Sequence, residues 1–126
     1  MNCWFGAKMA VVAVMMILLV SGCSTPLSQI RENEPYHTLT STKSPRGLAK
    51  CIELEARQSQ IGAQFAVALE EYPNETYRVA ITLPAYTAMA DILVKPTNSG
   101  SVVEFRKKGW FYLQTQILEI IERSAK

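Results

Sequence analysis

Three cysteines, one histidine and one aspartate are the scarce reactive groups in this sequence of 126 residues. Cys23 follows Leu19-Val20-Ser21-Gly22, so its thiol sits on small-residue backbone that an enzyme groove can grip in extended form. A Ser/His/Asp relay would require His37 and Asp91 to meet, one from a polar stretch and the other from an apolar one, and no relay is expected. A closed zinc site takes four ligands and a catalytic one about three. Beyond Cys23 and the amino-terminal Cys3, only Cys51 and His37 offer strong sulfur or nitrogen donors, so neither a metal nor a cofactor is expected. Glu70 and Glu71 are adjacent, which on a strand sends them to opposite faces, and carboxylates beside a turn are ordinarily solvated. Gly47, Gly62, Gly100 and Gly109 lack the spacing of a phosphate-binding loop. The remaining constellation is Arg106-Lys107-Lys108 followed by Trp110-Phe111-Tyr112, cations beside amphipathic rings that could meet an anionic headgroup or polymer. The plainer reading of that cluster is a solvated strand end with aromatics that seat a helix.

The front of the chain sets the context for Cys23. An unbroken apolar run, MAVVAVMMILLV, follows Lys8 and ends at Ser21-Gly22, in the order of a secretory signal. The run falls short of the roughly 20 residues needed to span a bilayer, although an uncleaved signal anchor would be possible if Trp4, Phe5 and Ala7 joined it with Lys8 snorkelling. Leu19-Val20-Ser21-Gly22-Cys23 resembles the lipobox of bacterial lipoproteins, with Val20 where leucine is usual. The resemblance covers only the first fifth of the chain. It implies cleavage between Gly22 and Cys23, a diacylglyceryl group on the Cys23 sulfur and an acyl chain such as palmitate on the new amine. Each buried methylene is worth about 0.8 kcal/mol and one chain holds only reversibly, so two or three would anchor stably. Ser24, rather than aspartate, after the cysteine implies the outer membrane, facing the periplasm, over the inner membrane.

Cysteine usage fits that expectation. Cys3 would leave with the signal and Cys23 would become a thioether, which leaves Cys51 without an internal disulfide partner. Between Leu48 and Ile52, Cys51 reads as a small core hydrophobe, with a reactive or intermolecular thiol as the alternative. The formal charge of +2 drops to about +1 when Lys8 is removed, so no long-range field draws nucleic acid.

The elements behind these residues follow from periodicity. The stretch 24–43 is polar, contains prolines and lacks a sustained period, which predicts a tether whose coil dimension is roughly 25 Å. Ser44-Pro45 has the chemistry of a helix start, and Leu48, Cys51 and Ile52 mark one stripe of a helix ending near Gln58. Phe65, Val67 and Leu69 alternate as a strand over 63–69, and Tyr77, Val79 and Ile81 as a second across a Tyr72-Pro73-Asn74-Glu75 turn. Residues 90–95 and 101–106 flank Pro96-Thr97-Asn98-Ser99-Gly100 as a further hairpin, with Asn98 and Gly100 able to take positive φ. Leu113, Ile117, Ile120 and Ile121 predict an amphipathic helix over 110–124.

The whole predicts an α+β fold, a small antiparallel sheet of three or four strands packed against an N-terminal and a C-terminal helix. Its organisation would be a signal peptide over 1–22, a lipidated cysteine and tether over 23–43, and a domain over 44–126. The expected role is a non-enzymatic binding or structural module of the cell envelope, held by its lipid and facing an envelope protein partner. The alternative is a binder of anionic lipid, glycolipid or polymer through Arg106, Lys107, Lys108 and Trp110. A hydrolase is a weaker reading, because no catalytic set or small-molecule substrate can be nominated.

Overall fold

A computed structural model of the chain describes residues 26–83, 87–109 and 112–126. The described elements are α1 (Leu27–Glu32), β1 (His37–Ser41), α2 (Pro45–Gln58), α3 (Gln60–Gln64), β2 (Ala66–Tyr72), β3 (Thr76–Leu83), β4 (Thr87–Thr97), β5 (Gly100–Lys107) and α4 (Gln114–Ala125). The sheet order is β1-β5-β4-β3-β2 and each neighbouring pair is antiparallel. Strands β2 to β5 thus form a meander, and the N-terminal β1 returns to pair on the outer edge of β5.

Local chemistry explains the helix ends. Ser44 caps α2 by accepting a hydrogen bond from the Gly47 amide at 3.3 Å, with proline in the first turn. Ser59 serves two helices at once, since its hydroxyl donates to the Ala56 carbonyl at 2.8 Å and accepts from the Ile61 amide at 3.1 Å. A Cβ at Gly62 would lie 2.0 Å from the Arg57 carbonyl oxygen, so the α2 to α3 joint closes only around a glycine. Gly100 has the same role at the start of β5, where an added Cβ would meet the Ser41 carbonyl oxygen at 2.1 Å.

Strand register sorts side chains onto two faces. Leu69, Val79, Ile92, Phe105 and His37 lie in one row across all five strands, and Tyr77, Val94, Val103 and Leu39 form the next. This face meets Leu48 and Ile52 of α2, Ile61 of α3, and Ile117, Ile120 and Ile121 of α4 in the main core. Glu119, Glu122 and Arg123 face outward on α4, as the periodicity predicts. The last turn of α4 is tied to the β1 end: the Ser41 hydroxyl donates to the Ala125 carbonyl at 2.6 Å and the Lys43 ammonium to the Ser124 carbonyl at 2.7 Å. A cation at a helix C-terminus also opposes the negative end of the helix dipole.

The α+β class is observed, with five strands rather than three or four and four helices among the described residues. Both hairpins form, and α2 spans Pro45–Gln58 with Ser44 as its cap. Several boundaries move. Ala63 and Gln64 end α3 instead of opening β2, where alanine's preference for helix prevails until Phe65 turns into the core. Helix α4 starts at Gln114, while Trp110 and Phe111 lie outside the described residues. The β4 to β5 loop is only Asn98-Ser99, since Thr97 already pairs with Gly100. Positive φ falls on Asn74, Glu75, Gly100 and Gly109 and not on Asn98.

The largest departure concerns the expected tether. Within 24–43, α1 and β1 are built into the domain: Ile30 is 1% exposed, and His37 to Ser41 pair residue by residue with β5. Ile30 and Leu39, with Tyr36 edge-on against Phe105, carry this apolar anchoring, too few for a period to register, and the free edge of β5 supplies the backbone partners that order the rest.

Candidate functional site

The second sheet face holds the most concentrated chemistry in the described structure. A lone aspartate interrupts the apolar run of β4, and the Asp91 side chain is 0% exposed. Register puts it between Ala80 of β3 and Arg106 of β5, on the face opposite the main core. A bulge in β4 opposite Ile81/Thr82 shifts the pairing beside it. Helix α1 lies over this face, against β4 and β5.

Two guanidiniums share the Asp91 carboxylate. Arg31 of α1 donates from Nε to Oδ1 at 3.3 Å, and Arg78 of β3 donates from Nη1 to Oδ2. Arg31 also donates from Nη2 to Glu70 Oε2 at 2.6 Å, and the Tyr72 hydroxyl donates to the same oxygen at 2.7 Å. The Arg78 guanidinium stands 5.8 Å from the Tyr72 ring centroid, a cation–π distance. A second group adjoins on the same face: Glu104 receives Lys95 at 2.8 Å and Arg106 at 3.3 Å, while Arg106 Nε donates to the Asn33 carbonyl just past α1 at 2.8 Å.

These surroundings set the ionisation. Burial pushes the Asp91 carboxyl above its ordinary value, against the charges of Arg78 and Arg31. For Glu70 desolvation also acts upward, but hydrogen bonds from Tyr72 and Arg31 outweigh it and hold the carboxyl below the usual range. Glu104 is likewise lowered, as Lys95 and Arg106 overcome desolvation. The hydrogen bond to Glu70 raises the Tyr72 phenol, because losing its proton would leave two anions in contact. Arg31 is raised despite its own desolvation, held by the Glu70 and Asp91 carboxylates.

Chemically this is a fastening. Asp91 has no solvent-exposed surface through which to exchange a proton with a substrate, and both its oxygens are engaged by arginine. Arg31 joins α1 to two strands distant in sequence, and Arg106 holds the turn that follows it. Glu70, expected to be solvated, is instead a member of the cluster, while Glu71 is exposed as expected.

The sequence candidates are dispersed. His37 lies in the first-face row with Phe105 and Asp91 on the second face, so the sheet itself separates the two halves of any relay. Arg106 and Lys107, being consecutive on β5, point to opposite faces. Arg106 is committed to Glu104 and Asn33, whereas the Lys107 ammonium sits 4.5 Å from the Tyr36 ring centroid. Lys108 continues the ladder by donating its amide to the Met89 carbonyl at 2.9 Å. Arg106 and Lys107 thus lie on different faces, and Trp110 lies outside the described residues, as do Gly22 and Cys23. Cys51 is a free thiol of intermediate exposure and stands outside the main core, unlike its neighbours Leu48 and Ile52.

Two open depressions accompany these features. One of about 320 Å³ is lined by Glu55, Gln58, Ser59 and Arg123, and an Arg123 to Glu55 ion pair at 3.0 Å crosses it. The other, about 180 Å³, lies between Ser44, Pro45, Arg46, Glu75 and Tyr77. The hydroxyls of Ser59 and Ser44 are both spent on helix capping. Among the described residues no cluster of three or more His, Cys, Asp or Glu could hold a metal, and no helix is long and apolar enough to cross a membrane.

Sequence reasoning overlooked the Arg31-Asp91-Arg78-Glu70 cluster. Its one available signal was Asp91 itself, a charge inside the apolar run AMADILV, which can be buried only beside cationic partners. No protein-family model matches this chain, and neither a curated protein nor a solved structure matches it.

Proposed function

We propose that this chain is the precursor of a bacterial envelope lipoprotein, cleaved before Cys23 and anchored by lipid on that residue, whose domain acts as a non-enzymatic binding or structural module. The observation that carries the reading is the order Lys8, apolar run, Leu19-Val20-Ser21-Gly22-Cys23. The domain's chemistry supports the second half: its most concentrated charges neutralise one another beneath α1 rather than face an open cleft. A protein partner at the periplasmic face of the outer membrane is the expected ligand. The two sheet edges, β1 and β2, are the places where an extended segment could add a strand.

Intact mass and amino-terminal peptide analysis of membrane-extracted protein test the anchor, with Cys23→Ser as the comparison. A terminus at Cys23 carrying acyl mass, lost in Cys23→Ser, is the expected result. An intact Met1 terminus without acyl mass would overturn the reading in favour of a signal-anchored protein.

A further inference from the structure

We infer that α1 is a clip that holds the domain directly against the bilayer surface, so that the partner of the α1 side is the lipid headgroup layer. The inference rests on the lipid anchor proposed above. Leu27, the first residue of α1, is four residues from Cys23, and a trans chain spans at most roughly 14 Å over that length. Whatever conformation those four residues take, the start of α1 cannot stand farther than this from the Cys23 backbone.

That restraint matters only if α1 stays on the sheet. Ile30 is 1% exposed, Arg31 pairs with the fully buried Asp91 and with Glu70, and the Asn33 carbonyl accepts from Arg106. With those contacts broken, the chain between Cys23 and His37, where pairing with β5 begins, could extend to roughly 45 Å. The clip therefore decides between a domain resting on the membrane and one standing well off it. Charge does not draw it there: on this face Arg31, Arg78, Lys95 and Arg106 are each paired with Glu70, Asp91 or Glu104, and the exposed Glu32 of α1 offsets the one excess positive charge. The contact is imposed by the covalent anchor and should be indifferent to anionic lipid.

Energy transfer in reconstituted vesicles tests this. A donor is placed on Leu54→Cys in a Cys51→Ser background, an exposed position on α2 across the sheet from α1, with acceptors on lipid headgroups. The full-length lipidated chain is compared with one carrying a Gly/Ser insertion of roughly 20 residues before Pro26, which adds roughly 25 Å of reach. Acyl mass on Cys23 is verified first; its absence refutes the lipoprotein reading itself. With the anchor verified, transfer should fall at least about twofold on insertion. The Ile30→Asp/Arg31→Ala variant should fall towards the inserted chain. Phosphatidylcholine vesicles with or without phosphatidylglycerol should give equal transfer. Equal transfer from the natural and inserted chains, or dependence on phosphatidylglycerol, would overturn the proposal. If the double variant loses its fold, the insertion, which leaves the domain untouched, still decides.

Discussion

Asp91→Ala removes the one carboxylate shared by Arg31 and Arg78. Arg31 keeps Glu70 at 2.6 Å, but Arg78 keeps only its position beside the Tyr72 ring and the Glu70 charge across the strand pair. Breaking a buried ion pair by deleting one partner costs about 3–5 kcal/mol, mostly from the uncompensated charge left behind. The Arg31 and Arg78 side chains are 25% and 20% exposed, so partial rehydration places the expected loss near the lower end, about 3 kcal/mol. With a urea slope of about 1–3 kcal/mol/M, the midpoint should drop by about 1–3 M without a change of slope. The assay is equilibrium urea unfolding of the chain beginning at Ser24, followed by far-ultraviolet circular dichroism. Asp91→Leu combined with Arg31→Met and Arg78→Met should recover most of the loss, because well-packed apolar groups often replace buried ions without penalty. A loss below about 1 kcal/mol for Asp91→Ala would refute the argument that Asp91 is a buried, ionised hub.

Acid should weaken the domain through Glu70 and Glu104. Both have folded-state values below the ordinary 4.5, so their stabilisation is complete above that value and is lost as pH falls through the lowered folded values. Asp91 is raised above 3.8 and acts in the opposite sense: its contribution is complete below 3.8 and is lost as pH rises through the folded value. Urea midpoints measured from neutral pH to below 4.5 should decline with acid, and Glu70→Gln should flatten that decline; an unchanged profile would count against the pairing of Glu70. Truncation to 44–126 should destabilise the domain strongly, since burying Ile30 alone is worth about 1.5–3 kcal/mol and β5 would lose its β1 partner. Thermal unfolding of the truncated chain at the temperature of the chain from Ser24 would show instead that 24–43 is a dispensable tether.

Some parts of this protein are readable in local chemistry. Ser44-Pro45 announces α2 because a cap and a first-turn proline act within a few residues, and Ile117, Ile120 and Ile121 announce the buried stripe of α4 by their spacing. Val103 and Phe105 do the same for β5, where alternation alone separates the main-core face from the other. The resemblance of Leu19 to Cys23 to a lipobox is likewise a local pattern, readable without any fold.

What only the tertiary structure decided is nonlocal. Leu27–Glu32 and His37–Ser41 carry too few apolar residues to fold on their own account, and they become a helix and a strand because β5 has a free edge and the second face needs a cover. Arg31 and Asp91 are 60 residues apart, and Arg31 and Glu70 are 39 apart, so no window of sequence could pair them. The separation of Arg106 from Lys107 follows from the pleat, which turns a run of like charges in the sequence into two unrelated surfaces. The sequence by itself thus determined the expected address of the chain, its main hydrophobic face and its hairpins. Burial of Asp91 beneath α1 had to wait for the fold, because a charge reveals its partners only once the sheet brings distant strands together.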